Sequence, residues 1–112
     1  MKLHKKKCIP CSGDVDPFSK SEIKKYLKEI KDWKVSINEK KAYFLHKSHK
    51  FKNFLESLKF VNKVSAISEK EGHHPDINFG WGYAKILIYT HAINGLSESD
   101  FILASKIDRI SV

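Results

Sequence analysis

The stretch from Phe51 to Glu71 constrains the fold more than any other part of the chain. Phe51, Phe54, Leu55, Leu58, Val61, Val64 and Ile67 recur at helical spacing, and Gly72 supplies a stop. The pattern predicts one long helix with an apolar side that has to be covered by something else. Directly after the stop comes His73-His74-Pro75. The proline ring clashes with a helical preceding residue, so His74 is restrained to an extended conformation. Two imidazoles are thereby fixed at an element boundary, a place where functional side chains concentrate.

The flanking patterns describe what covers the helix. Ser19 and Glu22 have capping-box spacing, and Ile23, Tyr26, Leu27 and Ile30 continue a helical repeat up to Trp33. Two extended runs follow, 34–37 and 42–46, joined by the polar turn Asn38-Glu39-Lys40-Lys41. Beyond the long helix, 77–81 and 83–91 read as strands; the second alternates Ala84, Ile86 and Ile88 with Lys85, Tyr89 and His91. A last helix begins at Ser97, with Asp100 at its third position and Phe101, Leu103, Ala104, Ile107 and Ile110 along its apolar side. This order suits an α+β fold, an antiparallel sheet with helices packed on one face.

The length of 112 residues fits one domain and one site. Residues 1–16 hold lysines, Pro10 and Gly13 without apolar periodicity, and are expected to be a flexible arm preceding a single domain over 17–112. No apolar stretch resembles a secretion signal or a membrane span, and Cys8 and Cys11 lie too close together to staple the fold. A cytoplasmic protein is expected, with no membrane association. The formal charge of +8 attracts anions of any kind but selects none of them. With no nucleic-acid-binding motif present, the lysines are read as solvated surface, and specific nucleic-acid binding is not expected.

Three histidines carry the chemical reading. His91 ends the strand expected to lie near the segment that starts after His74, so His73, His74 and His91 can converge. Imidazole changes protonation state near neutrality, which lets one ring accept a proton while another donates one. A three-histidine zinc site is the chemical rival, but neighbouring side chains in an extended segment point to opposite sides and share one ion poorly. No metal is expected. The Cys8-x-x-Cys11 pair has neither a second pair nor the strand-to-helix setting of a thiol oxidoreductase, and reads as two thiols in a tail turn. Trp33 and Trp81 are read as core residues, with stacking on a flat heterocycle as the alternative.

Taken together, Glu69, His73-His74-Pro75, Trp81, His91 and Asp100 resemble the pattern of the pterin-4a-carbinolamine dehydratases. The arm 6–13, the pair Asp32-Trp33 and the segment 95–100 are also similar to that family, so the resemblance spans nearly the whole chain. It implies a four-stranded antiparallel sheet backed by helices and the conversion of a 4a-hydroxytetrahydropterin, such as 4a-hydroxytetrahydrobiopterin, into quinonoid dihydropterin and water. It implies no cofactor. The pterin would be held around Gly72, His73, His74, Tyr89, Thr90, His91 and Ala92, with the three histidines at the reacting centre. Glu69, Pro75, Trp33, Trp81 and Asp100 would support it, Asp100 as a helix cap rather than a catalyst. His73 and His91 are favoured for proton transfer and His74 for orienting the hydroxyl. A homodimer or homotetramer is expected, because a short sheet leaves unpaired strand edges. A transcription-factor partner enters only by analogy with animal members of the family.

Overall fold

A computed structural model describes residues 1–9 and 15–111. Helix α1 spans Lys20–Leu27 and is closed at its start by the expected capping box: the Ser19 hydroxyl accepts from the Glu22 N–H, and the Glu22 carboxylate accepts from the Ser19 N–H. It ends earlier than the apolar repeat suggests. The reason lies in Asp108, at the end of the last helix. Its carboxylate accepts the Lys31 N–H at 2.9 Å, the Trp33 indole N–H at 2.8 Å and the Lys47 ammonium at 2.9 Å. Drawn in by these bonds, residues 28–33 form turns, and Asp32 takes a left-handed φ of 61°.

Strands β1 (Lys34–Ile37) and β2 (Tyr43–Lys50) form the expected hairpin, with β2 running four residues past its expected end. Helix α2 spans Phe54–Glu71. Phe51 is excluded from it because the Asn53 side chain caps the helix, accepting from the Glu56 N–H at 2.9 Å, while the Phe51 N–H bonds the Gly82 carbonyl. Strands β3 (Asp76–Gly80) and β4 (Tyr83–Ile88) make the second hairpin, and helix α3 spans Glu98–Ile107. Strand order is β1-β2-β4-β3, and every neighbouring pair is antiparallel.

Val35, Leu45 and Ile88 lie opposite one another across three strands, and Ile77 lies opposite Ile86. These residues form the covered face. Leu45, Ile86 and Ile88 pack in one core with Val64 of α2 and Phe101, Leu103 and Ala104 of α3. Burying each large apolar side chain contributes about 1.5–3 kcal/mol, which fixes both the register of the sheet and the placement of α2 and α3. The expected fold is the observed one.

The arm is docked over its described residues rather than loose. Leu3–Lys5 form a 3-10 turn, and Leu3 and Cys8 are buried in the core. The Cys8 N–H donates to Glu71 Oε1 at 2.9 Å, and the Ser99 hydroxyl bonds both the N–H and the carbonyl of Ile9 at 3.0 Å. Sequence periodicity misses this docking because two anchors make no repeat. Pro10 and Cys11 of the Cys-x-x-Cys pair lie outside the described residues.

Candidate active site

Gly72 ends α2 in the left-handed conformation, with φ 64°. A side chain there would strain the backbone, which is why a glycine fits this helix stop. The turn brings His73 beneath the start of α3, where its Nε2 lies 2.6 Å from Asp100 Oδ1. Asp100 has no exposed surface. Its other oxygen accepts the Thr90 hydroxyl at 2.9 Å, the Ser97 N–H at 2.8 Å and the Ser97 hydroxyl at 3.3 Å. Because the carboxylate is saturated with donors on Oδ2, the proton of the short contact belongs on His73 Nε2. In the neutral ring the lone pair then sits on Nδ1.

One buried carboxylate therefore ties together three segments: Gly72–His74, the loop after β4 and the N-terminus of α3. Asp100 does more than the capping role expected of it. The bond from the Ser97 N–H is the capping contact, and the contact with His73 comes in addition. Thr90 and Ser97, whose hydroxyls hold Asp100, are the residues that sequence reasoning left without this role. No local spacing links them to His73.

His74 is directed elsewhere. Its Nε2 pairs with Glu69 Oε2, and both side chains are exposed, at 60% and 77%. Beside them, Ser65, Ser68, Pro75 and Ile77 help line a shallow depression of about 280 Å³. The two adjacent imidazoles thus engage two different carboxylates, as alternation in an extended segment demands. Among the described residues, no three His, Cys, Asp or Glu side chains form a group able to hold a metal ion.

His91 begins a 3-10 turn, His91–Ile93, instead of ending a strand. Strand β4 stops at Ile88, because Thr90 closes a loop with Gly95: the Thr90 N–H donates to the Gly95 carbonyl at 2.8 Å, and Asn94 adopts φ 52°. The His91 ring is exposed and lies 4.2 Å, centroid to centroid, from the Tyr89 ring. Ala92 is exposed beside it. The segments bearing His73 and His91 are thus joined through Asp100 and Thr90.

The tryptophans stand apart from this cluster. Trp33 is buried and donates to Asp108. Trp81 is 70% exposed in the β3–β4 turn, contrary to a core reading. Pro75 and the five residues of β3 separate it from His74, roughly 23 Å of extended chain at the usual strand rise.

Glu71, the last residue of α2, is also buried and holds the docked arm. It accepts from the Cys8 N–H and from Lys106 Nζ at 3.1 Å. Burial raises its pKa, but these two donors together outweigh burial and hold the carboxyl below its ordinary range. Cys8 moves the other way: burial first, then the Glu71 charge, push its thiol up to about 12, so it stays protonated.

The protein is thus of the α+β class, a helix-backed antiparallel sheet with a histidine–carboxylate pair at the end of its long helix. Residues 16–110 match the profile of the family described as pterin 4 alpha carbinolamine dehydratase. A protein of Alkaliphilus metalliredigens provisionally named pterin-4-alpha-carbinolamine dehydratase is 49% identical over 96% of this chain and 94% of its own length. One of Rickettsia canadensis with the same provisional name is 50% identical over 95% and 94%. A crystal structure of a transcriptional coactivator/pterin dehydratase from Brucella melitensis superposes with a TM-score of 0.73 at 25% identity, covering 82% of this chain and 95% of that one. A pterin dehydratase-like protein identified as a RuBisCO assembly factor in the alpha-carboxysome superposes with a TM-score of 0.59 at 25% identity, covering 70% and 87%. The chain belongs to the pterin-4a-carbinolamine dehydratase family.

Proposed function

We propose that this protein removes water from a 4a-hydroxytetrahydropterin, such as 4a-hydroxytetrahydrobiopterin, in the cytoplasmic recycling of tetrahydrobiopterin. The observation that carries the proposal is the His73–Asp100–Thr90 chain of hydrogen bonds, which holds one imidazole against a buried carboxylate and ties it to the loop presenting His91. The elimination breaks the bond between C4a and the hydroxyl oxygen, which leaves as water after taking up a proton. A ring N–H proton is lost and its electron pair becomes the new double bond of the quinonoid product. One imidazolium supplies the first proton and one neutral imidazole accepts the second. His73 and His91 take these roles, and His74, steadied by Glu69, orients the hydroxyl. Gly72, Tyr89, Thr90 and Ala92 border the pterin.

The reaction needs no metal in this reading, since both proton transfers are within the reach of imidazole. Dialysis against a chelator should leave the catalysed rate intact. A rate lost on chelation and restored by zinc would contradict this.

We further propose a homodimer or homotetramer. β1 and β3 are edge strands, and Phe54 and Leu55 at the start of α2 are 48% and 58% exposed. A protein-binding role is the second reading, favoured by the coactivator and assembly-factor descriptions of the two solved relatives. A binder has no chemical need for three placed histidines. Accelerated dehydration of synthetic 4a-hydroxytetrahydropterin, measured over the spontaneous rate, separates the two readings.

A further inference from the structure

The face of the sheet turned away from the helices holds a basic cavity that the proposed reaction does not use. Lys34 of β1 lies directly opposite His46 of β2, and Lys85 of β4 lies opposite Ser48, two residues further along β2. The two-residue period of a strand puts all four on one face. With Asp32 and Lys47 they line a cavity of about 370 Å³, within the size range of small-molecule sites.

Lys34 and Lys85 stand on either side of β2 on this face, flanking His46 and Ser48. Among the described residues, no carboxylate forms an ion pair with Lys34, His46 or Lys85. Lys47, by contrast, is neutralised by Asp108. Burial, followed by the Lys85 and Lys34 charges, holds the His46 imidazole below its ordinary pKa. Its Nε2 is engaged by the Ser36 hydroxyl at 2.8 Å, which leaves Nδ1 for another partner. Two lysines without an ion-pair partner, set beside an imidazole, make a cavity suited to an anion.

We propose that this cavity binds the phosphate group of a small ligand, a phosphate monoester or inorganic phosphate, between Lys34, His46 and Lys85. A compact dianion meets two ammonium groups and an imidazole that its charge helps to protonate, and charge-assisted hydrogen bonds are the strong ones. Asp32 reduces the positive charge of the cavity without cancelling it. A polynucleotide fits less well, because Lys34, His46, Leu87 and Asp76 succeed one another across the four strands. The positive region ends at an apolar residue and then a carboxylate, whereas a nucleic-acid track has to continue from phosphate to phosphate.

The test is a pH titration of the His46 ring by NMR in the full chain, at constant ionic strength, with chloride, inorganic phosphate or phenyl phosphate as the anion. Phosphate and phenyl phosphate are expected to raise the His46 midpoint saturably, and chloride to leave it in place. Tighter phenyl phosphate binding marks an esterified ligand, and equal or tighter binding of inorganic phosphate marks the free ion. The double variant Lys34→Gln/Lys85→Gln should lose the saturable shift, while the His73 and His74 signals stay as in the parent. No saturable shift in the parent, or an equal one in the variant, overturns the site. A short DNA duplex that shifts His46 at lower concentration than either phosphate overturns the choice of ligand.

Discussion

His73 Nε2 stands 2.6 Å from a carboxylate, that of Asp100, which no water reaches. The contact spans 27 residues of sequence and couples a helix stop to a helix start. Its consequence is chemical as well as structural: a ring that donates through Nε2 has a fixed orientation and, when neutral, keeps its lone pair on Nδ1. In the proposed reaction Asp100 is a positioning residue, since its contact is with His73 and not with the pterin.

Replacing Asp100 by Asn should therefore damage both stability and rate. The amide keeps the shape but places a donor where either His73 Nε2–H or the Ser97 N–H already donates. Loss of a charge-assisted bond and one mismatched buried group should cost about 2–3 kcal/mol in a denaturant titration. The catalysed rate should fall by roughly tenfold or more, the scale seen when a group that orients a functional imidazole is lost. Parental stability together with parental rate in Asp100→Asn would remove Asp100 from the account.

The order of helices and strands was legible because each element carries its own period, and Gly72 and Ser19 marked boundaries that the structure keeps. The histidines could be singled out for the same reason, since Gly72 and Pro75 bracket two of them. What could not be read was the wiring. Asp100 has capping spacing from Ser97, and nothing local announces a second bond to His73. Trp81 looked like core by residue type, yet it occupies a hairpin turn. The arm lacked periodicity, and only tertiary partners, Glu71 and Ser99, hold it down. Long-range polar contacts have no period, so they appear only when the fold is known.

Glu71 makes one such contact measurable. Its carboxyl titrates below the ordinary 4.5 in the folded protein, so on acidification the unfolded chain takes up the proton first. The stabilisation is complete above about pH 4.5 and is lost as pH falls through the folded value. Glu71→Gln should accordingly show lower stability at neutral pH and a shallower decline toward acid than the parent. Denaturant titrations at several pH values between neutrality and acid check this. Parallel declines in the two proteins would show that Glu71 is not linked to folding.

The proposed self-association rests on the open strand edges and the exposed pair Phe54 and Leu55. Light scattering at micromolar concentration should return a multiple of 13.0 kDa. Leu55→Glu should shift the distribution toward the monomer if that end of α2 forms the interface. A parent that scatters as a monomer of 13.0 kDa would contradict the expectation.

The most direct measurement is the rate of water loss from synthetic 4a-hydroxytetrahydropterin with the parent and with His73→Ala, His74→Ala and His91→Ala. The spontaneous reaction is subtracted, and circular dichroism confirms that each variant is folded. The account predicts clear acceleration by the parent and a fall of roughly a hundredfold or more at the proton-transfer positions, the usual scale of general acid–base catalysis. A double replacement should cost much less than the product of its singles, because the second removes a group already disabled. Folded His74→Ala and His91→Ala proteins that both keep near-parental rates would place the reaction elsewhere, and a parent that adds nothing to the spontaneous rate would contradict the account altogether.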